Sequence, residues 1–380
     1  MTEFGTINLS KRTMDGVKTV TVGLVLVTQL SAVAGGIDGP LFPRTEPRDS
    51  RWSFRANLTG RFGVDAEFTG LGARQNPGVP LPPGSGVDRF YDDGFHRPDA
   101  TGGAGNLTTF WGIESASQLG QVRPDSISFN LNQVAGNGTL RGVDDDTLAI
   151  PGFELSAFQQ LGMLPYHGPL SKKRMTWGWN FGFFYQNVGV STTASTTSDL
   201  TRVTDTFSSP GVSVGVFPYQ GPRVPALGAP LISSVLDPAD RLSQTIAGGA
   251  FVRGRYDIGA DLFGLQVGPW LRVPLTEKVD FLWEAGVSGS LALAEYRGQS
   301  TTAIAGFSSQ SREVSAEEFE VLPGGYIGGS LEFALRDGVF GAIGAKWQTM
   351  KDLSLSAGGE TGTLDFSNSV TVQAGVGFRF

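Results

Sequence analysis

The amino-acid sequence predicts an all-β protein, namely an antiparallel, up-and-down transmembrane β-barrel of about ten strands, with eight or twelve strands as alternatives. Three features support this fold class. Apolar and polar residues alternate with a period of two over long stretches, short and long connections alternate along the chain, and the N-terminus has the pattern of an export signal. A period of two places the two sets of residues on opposite faces of a strand, whereas a helix would scatter them around its circumference.

The first predicted strand runs from Trp52 to Phe68, where every even position is apolar or glycine and almost every odd position is polar. Globular strands usually have about five or six residues, while a strand that crosses a membrane needs about nine to eleven. The same alternation predicts ten strands, at about 52–68, 106–114, 125–134, 150–161, 175–185, 248–273, 279–293, 319–336, 339–350 and 363–380. The face that we expect to contact lipid includes Trp52, Phe54, Leu58, Phe62, Val64, Val370, Val372 and Val376.

The predicted strand at 248–273 changes phase along its length. Even positions are apolar from Val252 to Leu262, and odd positions are apolar from Leu265 to Val273. A β-bulge produces such a one-residue change, and we place it at Gly264. Two shorter strands would give the same pattern, which keeps twelve strands open.

Connections of two kinds separate the predicted strands. The short ones lie at about 115–123, 162–174, 274–278 and 336–338, and the longer ones at about 70–105, 135–149, 207–247, 297–318 and 351–361. An even number of strands places both termini on the same side of the membrane, together with the short turns. Within the longest connection, apolar residues at 232–246 have roughly helical spacing and Asp237-Pro238 could begin a short helix, with an irregular Pro-rich loop as the alternative.

The N-terminus resembles a cleavable signal peptide. Basic residues at positions 11, 12 and 18 precede an apolar run from Val20 to Leu30, and Ala32-Val33-Ala34 provides a small-x-small cleavage site. The apolar run is too short to cross a bilayer as a helix, although a membrane-anchoring or buried helix is the alternative. We therefore divide the chain into a signal peptide (1–34), a periplasmic N-terminal segment (35–51) and the barrel (52–380).

Composition excludes several classes of function. The formal net charge is −7 and the pI is near 5.0, so the chain offers no basic surface for a nucleic-acid backbone. There is no cysteine, which excludes disulfides and thiolate metal sites. No other metal-binding or cofactor-binding motif is apparent. A secreted soluble β-sandwich remains an alternative, because a period of two shows only that one face is buried.

The last eight residues read polar-x-Gly-x-x-aromatic-x-aromatic, with Gln373, Gly375, Phe378 and Phe380 at the defining positions. This segment resembles the C-terminal assembly signal of outer-membrane β-barrel proteins of Gram-negative-type bacteria. The resemblance implies location in the outer membrane, contact with its lipid, and recognition of these four residues by the barrel-assembly machinery. A second stretch, 91–95 with Asn106 and 111–112, looks like a pattern found in uncharacterised barrels of this kind and implies no activity.

One predicted loop contains candidate catalytic residues. His96 lies close in sequence to Asp92 and Asp93, and an Asp and His arrangement could position a water molecule for hydrolysis. Ten-stranded outer-membrane proteases use carboxylates with a histidine at the barrel rim, but this chain lacks a matching second carboxylate pair. Asp- and Gly-rich segments are usually turns. A calcium site at this loop or at 144–146 is a weaker alternative, because neither segment has the spacing of a known calcium loop.

Charged residues on the inner face predict a lumen with both signs. The predicted lumen charges include Arg55, Arg61, Asp65, Glu67, Arg253, Arg255, Asp257, Asp261, Glu284 and Glu332, with Arg272, Asp280, Lys346, Asp365 and Arg379 on the same predicted face. Opposite charges can pair across strands, and small barrels are filled by side chains. We therefore predict a narrow, largely plugged, non-enzymatic barrel whose long loops have a structural or surface-interaction role, or that serves as a minor passive pore. A surface hydrolase that uses the His96 loop is the alternative from another class.

Overall fold

The computed structural model describes residues 52–380 except 74–79, 85, 100–104, 145–148, 168–170, 172, 225 and 227. The predicted signal peptide and the segment 35–51 therefore lie outside the described residues. The described strands are β1 (Trp52–Phe62), β2 (Asp65–Leu71), β3 (Arg89–Tyr91), β4 (Gly94–His96), β5 (Leu107–Thr108), β6 (Trp111–Ile113), β7 (Ser126–Val134), β8 (Gly138–Asp144), β9 (Ile150–His167), β10 (Arg174–Ser208), β11 (Tyr219–Gln220), β12 (Ile232–Ser233), β13 (Arg241–Pro274), β14 (Val279–Ile304), β15 (Gln310–Arg336), β16 (Val339–Met350), β17 (Leu353–Ala357), β18 (Glu360–Asp365) and β19 (Ser369–Arg379). Two short 3₁₀ helices lie at Ala116–Gln118 and Pro238–Asp240. None of the helices in this part of the chain is long and apolar enough to cross a membrane.

Eight antiparallel strands form a ring. Their order is β13, β14, β15, β16, β19, β1, β9 and β10, and β10 pairs in turn with β13. Of the ten predicted strands, those at 106–114 and 125–134 do not belong to this ring. The first is divided between β5 and β6 in small separate sheets, and β7 pairs with the far end of β10 and with no other ring strand among the described residues. The pairing thus favours eight strands, one of the predicted alternatives, over ten.

The connections differ at the two ends of the ring. Residues 275–278 and 337–338 form tight connections at the end that contains Trp52 and Phe380, where the backbone N–H of Phe380 donates to the carbonyl of Trp52. At the opposite end, β1 and β9 are joined by 63–149, whereas β14 and β15 are joined by only 305–309. The predicted connection 297–318 is mostly wrong, because β14 continues to Ile304 and β15 begins at Gln310. The predicted connection 207–247 is too long at both ends, because β10 ends at Ser208 and β13 begins at Arg241.

An apolar belt surrounds the half of the ring that contains Trp52 and Phe380. Its exposed side chains include Trp52, Phe54, Leu58, Phe62, Leu155, Trp177, Trp179, Phe181, Phe263, Leu265, Val267, Trp283, Val287, Leu291, Leu293, Phe319, Val321, Ile327, Ile343, Trp347, Val370 and Val372. Soluble monomers rarely expose continuous apolar patches of more than a few hundred square ångströms. Six of the eight predicted lipid-facing residues belong to this belt. Val376 is half-buried, and Val64 is buried, so the prediction for Val64 is wrong.

Val64 is buried because the first predicted strand is two strands. Gly63 has a φ of +73°, a left-handed conformation that glycine adopts without steric cost, and it separates β1 from β2. Beyond this bend the even positions turn inward, so Ala66 and Phe68 are buried while Asp65 is exposed. The sequence keeps one phase from Trp52 to Phe68, but the chain reverses its two faces in the middle.

Strand β13 behaves in the opposite way. Its register against β10 is unbroken from Arg272 to Ala250, so the predicted bulge at Gly264 is wrong. Even positions face inward along this whole stretch. What changes along β13 is the chemistry of each face, while the backbone stays regular. The register irregularity of this strand pair lies elsewhere, between Ser198 and Leu200 of β10.

The part of the molecule beyond the belt, which we call the head, contains two apolar cores. A four-stranded sheet, in the order β17, β18, β2 and β8, packs against the far parts of β10, β13 and β14. This first core consists of Val64, Ala66, Phe68, Leu71, Phe184, Val188, Val190, Val252, Tyr256, Ile258, Ala260, Leu262, Ala292, Ala294, Tyr296, Leu322, Met350, Leu353, Leu355, Leu364 and Phe366. The second core lies among β6, β7, β10 and β12 and consists of Trp111, Ile113, Ile127, Phe129, Phe207, Ile232 and Leu236.

The predicted loop helix within 230–246 is mostly wrong. Only Pro238–Asp240 is helical, as a single 3₁₀ turn, and the Asp237 side chain caps it by accepting from the Ala239 N–H at 2.9 Å. The backbone around Ile232 and Leu236 is extended, and both side chains pack into the second core instead. Strand β13 then begins at Arg241.

Candidate functional site

The predicted lumen charges divide into two groups. Arg55, Arg61, Glu284 and Glu332 are buried inside the ring, each at most 2% exposed. The other six predicted charges lie in the head on outward faces: Asp65, Glu67, Arg253, Arg255, Asp257 and Asp261. Their prediction as lumen residues is wrong. Beyond the belt the outer face contacts water and the inner face is an apolar core, so charged residues occupy the outer positions.

The centre of the barrel contains a compact ionic cluster of Arg55, Glu154, Glu284 and Lys346, which we call the mid-barrel cluster. Lys346 Nζ lies 2.7 Å from Glu154 Oε2 and 3.2 Å from Glu284 Oε1. Arg55 Nη2 lies 3.3 Å from Glu284 Oε1 and 3.8 Å from Glu154 Oε1. Two cations and two anions therefore neutralise one another in the lumen. Such mutual pairing offsets the large cost of removing each charge from water.

A second ionic cluster lies closer to the C-terminus. Glu332 accepts from Arg272 Nε at 2.8 Å and from Arg379 Nη2 at 2.6 Å. Arg379 also reaches Asp280, with 3.0 Å between Nη1 and Oδ2. Because Arg379 belongs to the last strand, this cluster ties the C-terminus to β13, β14 and β15.

Neutral side chains complete the filling of the lumen. The guanidinium of Arg55 lies 4.9 Å from the ring centre of Phe158, which packs with Trp270 and Leu282. Asn180 donates to Glu284 at 2.8 Å. All eight strands of the ring contribute a side chain to this contact network: Arg55, Glu154, Asn180, Arg272, Glu284, Glu332, Lys346 and Arg379. This arrangement fills the described part of the lumen with matched charges, whereas a selective pore more often has an excess of one sign.

Glu154 is the member of the mid-barrel cluster that the sequence prediction missed. Its strand was predicted, and period-two alternation places Glu154 on the same face as Ser156 and Phe158. Both neighbours are buried inside the ring, as is Glu154. The signal was thus present in the alternation of β9.

The acidic residues of the predicted catalytic loop form hydrogen bonds with β7. Asp93 accepts from both the backbone N–H and the side-chain amide of Asn130, each at 2.8 Å. Asp92 Oδ2 accepts from the same two groups of Asn132, at 2.7 and 2.9 Å. Burial raises the pKa of Asp93 to about 6 against the effect of these hydrogen bonds. These carboxylates dock the β3–β4 turn onto β7.

His96 takes no part in these hydrogen bonds with β7. Its side chain is fully buried, its ring stacks on Phe207 with 3.9 Å between centroids, and its Nε2 lies 2.9 Å from the carbonyl oxygen of Ser233. Burial lowers the pKa of His96 to about 4. In the hydrogen bonds of the described residues, His96 pairs with a backbone carbonyl while the two carboxylates pair with asparagines. Their arrangement therefore supports packing and gives no support to hydrolysis.

No metal site is evident in the described part of the chain, where no cluster of three or more His, Asp or Glu side chains could hold an ion. The weaker calcium candidate at 144–146 cannot be placed, since the side chain of Asp144 and both following residues lie outside the described residues.

The head also contains a small cavity of about 210 Å³ that the sequence did not predict. Asp205 accepts two hydrogen bonds from Arg241, at 2.6 and 2.7 Å, and one from the hydroxyl of Tyr91 at 2.7 Å. Phe90 and Leu131 line the cavity beside them. Burial and the neighbouring Asp205 carboxylate raise the pKa of Tyr91. No sequence signal links these residues, because their pairing depends on the tertiary fold.

The predicted assembly signal forms the strand that closes the ring. Gln373 is buried and accepts from the amide of Asn57 at 3.2 Å. Phe380 is 74% exposed at the end of the belt. Its ring makes a T-shaped contact with the ring of Phe54, with 5.9 Å between the ring centroids. Gly375 and Phe378 lie on the same strand, opposite Asn57 and Phe54 of β1.

Comparisons with known proteins give weak structural similarities. No protein-family model matches this chain, and no curated protein matches its sequence. Among solved structures, the attachment invasion locus protein Ail of Yersinia pestis, in complex with the heparin analogue sucrose octasulfate, shares 10% identity at a TM-score of 0.22 and covers 87% of this chain and 99% of its own. The outer membrane protease OmpT of Escherichia coli shares 8% identity at a TM-score of 0.25, covering 89% and 99%. The translocator domain of the autotransporter NalP of Neisseria meningitidis shares 10% identity at a TM-score of 0.18, covering 98% and 100%.

Proposed function

We propose that this chain is a non-enzymatic integral β-barrel protein of the bacterial outer membrane, with a plugged lumen and a surface-exposed head. The apolar belt supports insertion in a bilayer, because its continuous exposed side chains suit hydrocarbon. The single observation that carries the functional part is the mid-barrel cluster. Its matched charges, together with side chains from every strand of the ring, leave a structural or surface-contact role as the main one, with minor passive leakage as the nearest variant.

The dimensions of the head support a surface role. Strands β10 and β13 have 35 and 34 residues, whereas a crossing strand needs about ten. Most of their length therefore builds the head. A hydrolase role is not part of this proposal, because Asp92, Asp93 and His96 are engaged in contacts that hold the head together.

Biogenesis through the outer-membrane route is part of the same proposal. The N-terminal export signal, with cleavage after Ala34, would direct the chain across the inner membrane. The barrel-assembly machinery would then recognise Gln373, Gly375, Phe378 and Phe380. The exposed position of Phe380 at the end of the closing strand suits such recognition. Lipid of the outer membrane is the expected permanent partner.

Conductance of the purified protein in a planar bilayer tests the plugged lumen. We expect no large, stable open steps, because a small barrel filled with side chains leaves no aqueous path. Insertion must be verified independently, by protection of the belt strands from added protease in vesicles of the same lipid. Large and stable open steps from correctly inserted protein would overturn the plugged-lumen proposal.

A further inference from the structure

The hairpin formed by β17 and β18 covers one side of the head. Residues Gly358 and Gly359 form its two-residue turn, and both have positive φ angles, as such turns require. Leu353, Leu355 and Leu364 point from the hairpin into the first core and are each at most 1% exposed. The hairpin continues the head sheet because β18 pairs with β2.

Next to the turn, Glu360 directs its carboxylate into the protein. Its side chain is 1% exposed and lies directly over Gly298 of β14, where an added Cβ atom would be 2.7 Å from Glu360 Oε2. The hydroxyl of Tyr296 donates to Oε2 at 3.1 Å, and that of Ser300 to Oε1 at 3.5 Å. Glycine at 298 therefore provides the space that this carboxylate occupies.

The charged surroundings of Glu360 differ from those of the lumen carboxylates. None of the ion pairs among the described residues includes Glu360, whereas Glu154, Glu284 and Glu332 each contact a cation. The charge of Arg312 on β15 acts on it, but the Arg312 guanidinium donates to the backbone carbonyls of Ala73 and Gly358.

The other titratable groups around Glu360 do not neutralise it. Tyr256 on β13 and Tyr296 on β14 are buried phenols beside it, and Asp365, on its own strand, is exposed. Glu67, on the adjacent strand β2, pairs with Arg141. Glu360 is therefore a buried carboxylate that accepts hydrogen bonds from hydroxyl groups and has no ion-pair partner among the described residues.

We propose that Glu360 is a pH-dependent latch: the protonated carboxyl keeps the β17–β18 hairpin packed on β14, and the ionised carboxylate moves to water and loosens the turn. Burying an ionised carboxylate without a cation is costly, whereas a neutral carboxyl can remain among hydroxyl groups. Loosening the turn also releases the contact of Arg312 with Gly358. The same loosening exposes the apolar face of the hairpin at the surface of the head.

The direction of the pH dependence follows from burial. Burial raises the pKa of Glu360 above its usual 4.5, while the hydrogen bond from Tyr296 and the charge of Arg312 lower it. A carboxyl whose pKa is raised by packing favours the packed state most at low pH. Packing of the hairpin is thus strongest below pH 4.5 and weakens as the pH rises through the raised pKa.

Hydrogen exchange of the full-length folded protein in lipid nanodiscs, at about pH 4 and about pH 7.5, tests the latch. After correction for intrinsic exchange rates, we expect protection of amides in 353–365 to fall about tenfold for each unit by which packing raises the pKa. Amides of β16 provide the internal reference. Glu360→Gln, which stays neutral, should keep its protection at both pH values. Glu313→Gln removes an exposed carboxylate on β15 and should behave as the unmodified protein does.

A second variant makes the test independent of how well Glu360→Gln folds. Tyr296→Phe removes a hydrogen bond that favours the ionised carboxylate, so the pH midpoint of loosening should move upward. An unmodified protein with equal protection at both pH values would overturn the latch. So would the same pH dependence in Glu360→Gln, or a lower midpoint in Tyr296→Phe.

Discussion

The belt half and the head of this molecule share the same strands but have opposite polarity. On β13, Leu265 is 67% exposed in the belt while Arg272 is buried inside. Further along the same unbroken strand, Arg255 is exposed while Val252 and Ile258 are fully buried. Strand β14 repeats the reversal, from exposed leucines at 291 and 293 to the outward-facing Arg297. The same alternation of side chains therefore places apolar residues outward in the belt and inward in the head.

With the belt in a bilayer, as proposed above, we infer from the comparison that the surrounding medium decides which face is apolar. In the belt, outward side chains are suited to hydrocarbon, and the polar interior is stabilised by pairing of charges. In the head, outward side chains contact water, and the interior is stabilised by the hydrophobic effect. A change in the phase of the apolar pattern thus marks the boundary between the two media as readily as it marks a bulge.

The largest expected effect comes from breaking the polar interior of the belt half. Lys346→Met removes one cation from the mid-barrel cluster. Arg55 is then the one cation of the cluster that remains beside Glu154 and Glu284. We expect a loss of about 3 to 5 kcal/mol in the free energy of unfolding, as for other buried pairs that lose one partner. Urea titration of the protein in lipid vesicles measures it. Lys351→Met, in an exposed pair with Glu320, is the control and should cost less than about 1 kcal/mol. Equal costs for the two lysines would contradict the assignment of a buried cluster.

A charge placed on the outer wall distinguishes the two media on a single strand. Leu265→Arg introduces a charge into the belt, at an expected cost of about 2 to 4 kcal/mol if it lies near the bilayer centre. Phe251→Arg makes the same kind of change on the same face of β13 but in the head, where Phe251 is 51% exposed. There we expect a change within about 0.5 kcal/mol. Similar costs at both positions, in the same urea titration, would show that the belt does not contact hydrocarbon.

The smallest net effect concerns two opposing titrations in the head. The pKa of His96 is lowered from 6.5 to about 4, so its burial weakens the head as the pH falls through this range. The pKa of Asp93 is raised from 3.8 to about 6, so its burial strengthens the head as the pH falls from 6 to 3.8. Each contribution is at most about 3 kcal/mol, and the two nearly cancel.

Single variants should separate these titrations. On acidification from about pH 7 to about pH 4, we expect Asp93→Asn to lose protection of the β7 amides from hydrogen exchange, because only the histidine then responds. His96→Phe, which retains a ring against Phe207, should gain protection over the same range. Parallel pH slopes in the two variants would refute the assignment of opposite effects to these residues.

Much of the fold follows from the sequence because alternation is a local property. Eight of the ten predicted strands correspond to the ring, and the inner positions of Arg55, Glu284 and Glu332 follow directly from the period of two. The two errors in phase have one origin. At Gly63 a bend reverses the faces while the medium also changes, so the sequence appears uniform from Trp52 to Phe68. On β13 only the medium changes, so the sequence appears shifted.

The remaining features depend on contacts between distant segments. The small strands at 107–113 were predicted as a crossing strand, because nothing local shows that their partners lie in the head. The pairing of Asp205 with Tyr91 joins residues 114 positions apart, and Glu360 meets Tyr296 across 64 positions. The roles of Asp92 and Asp93 similarly depend on asparagines of β7 that only the folded head brings to them.

The neutrality of the mid-barrel cluster has an electrical consequence. A voltage of 100 mV across a membrane changes the energy of one elementary charge moved across it by about 2.3 kcal/mol. The cluster contains two positive and two negative side chains linked by contacts of 2.7 to 3.8 Å. The forces that a field exerts on them cancel, so a potential pulls on the individual side chains without driving the group as a whole toward either side. We therefore expect the proposed blockage of the lumen to be insensitive to voltage.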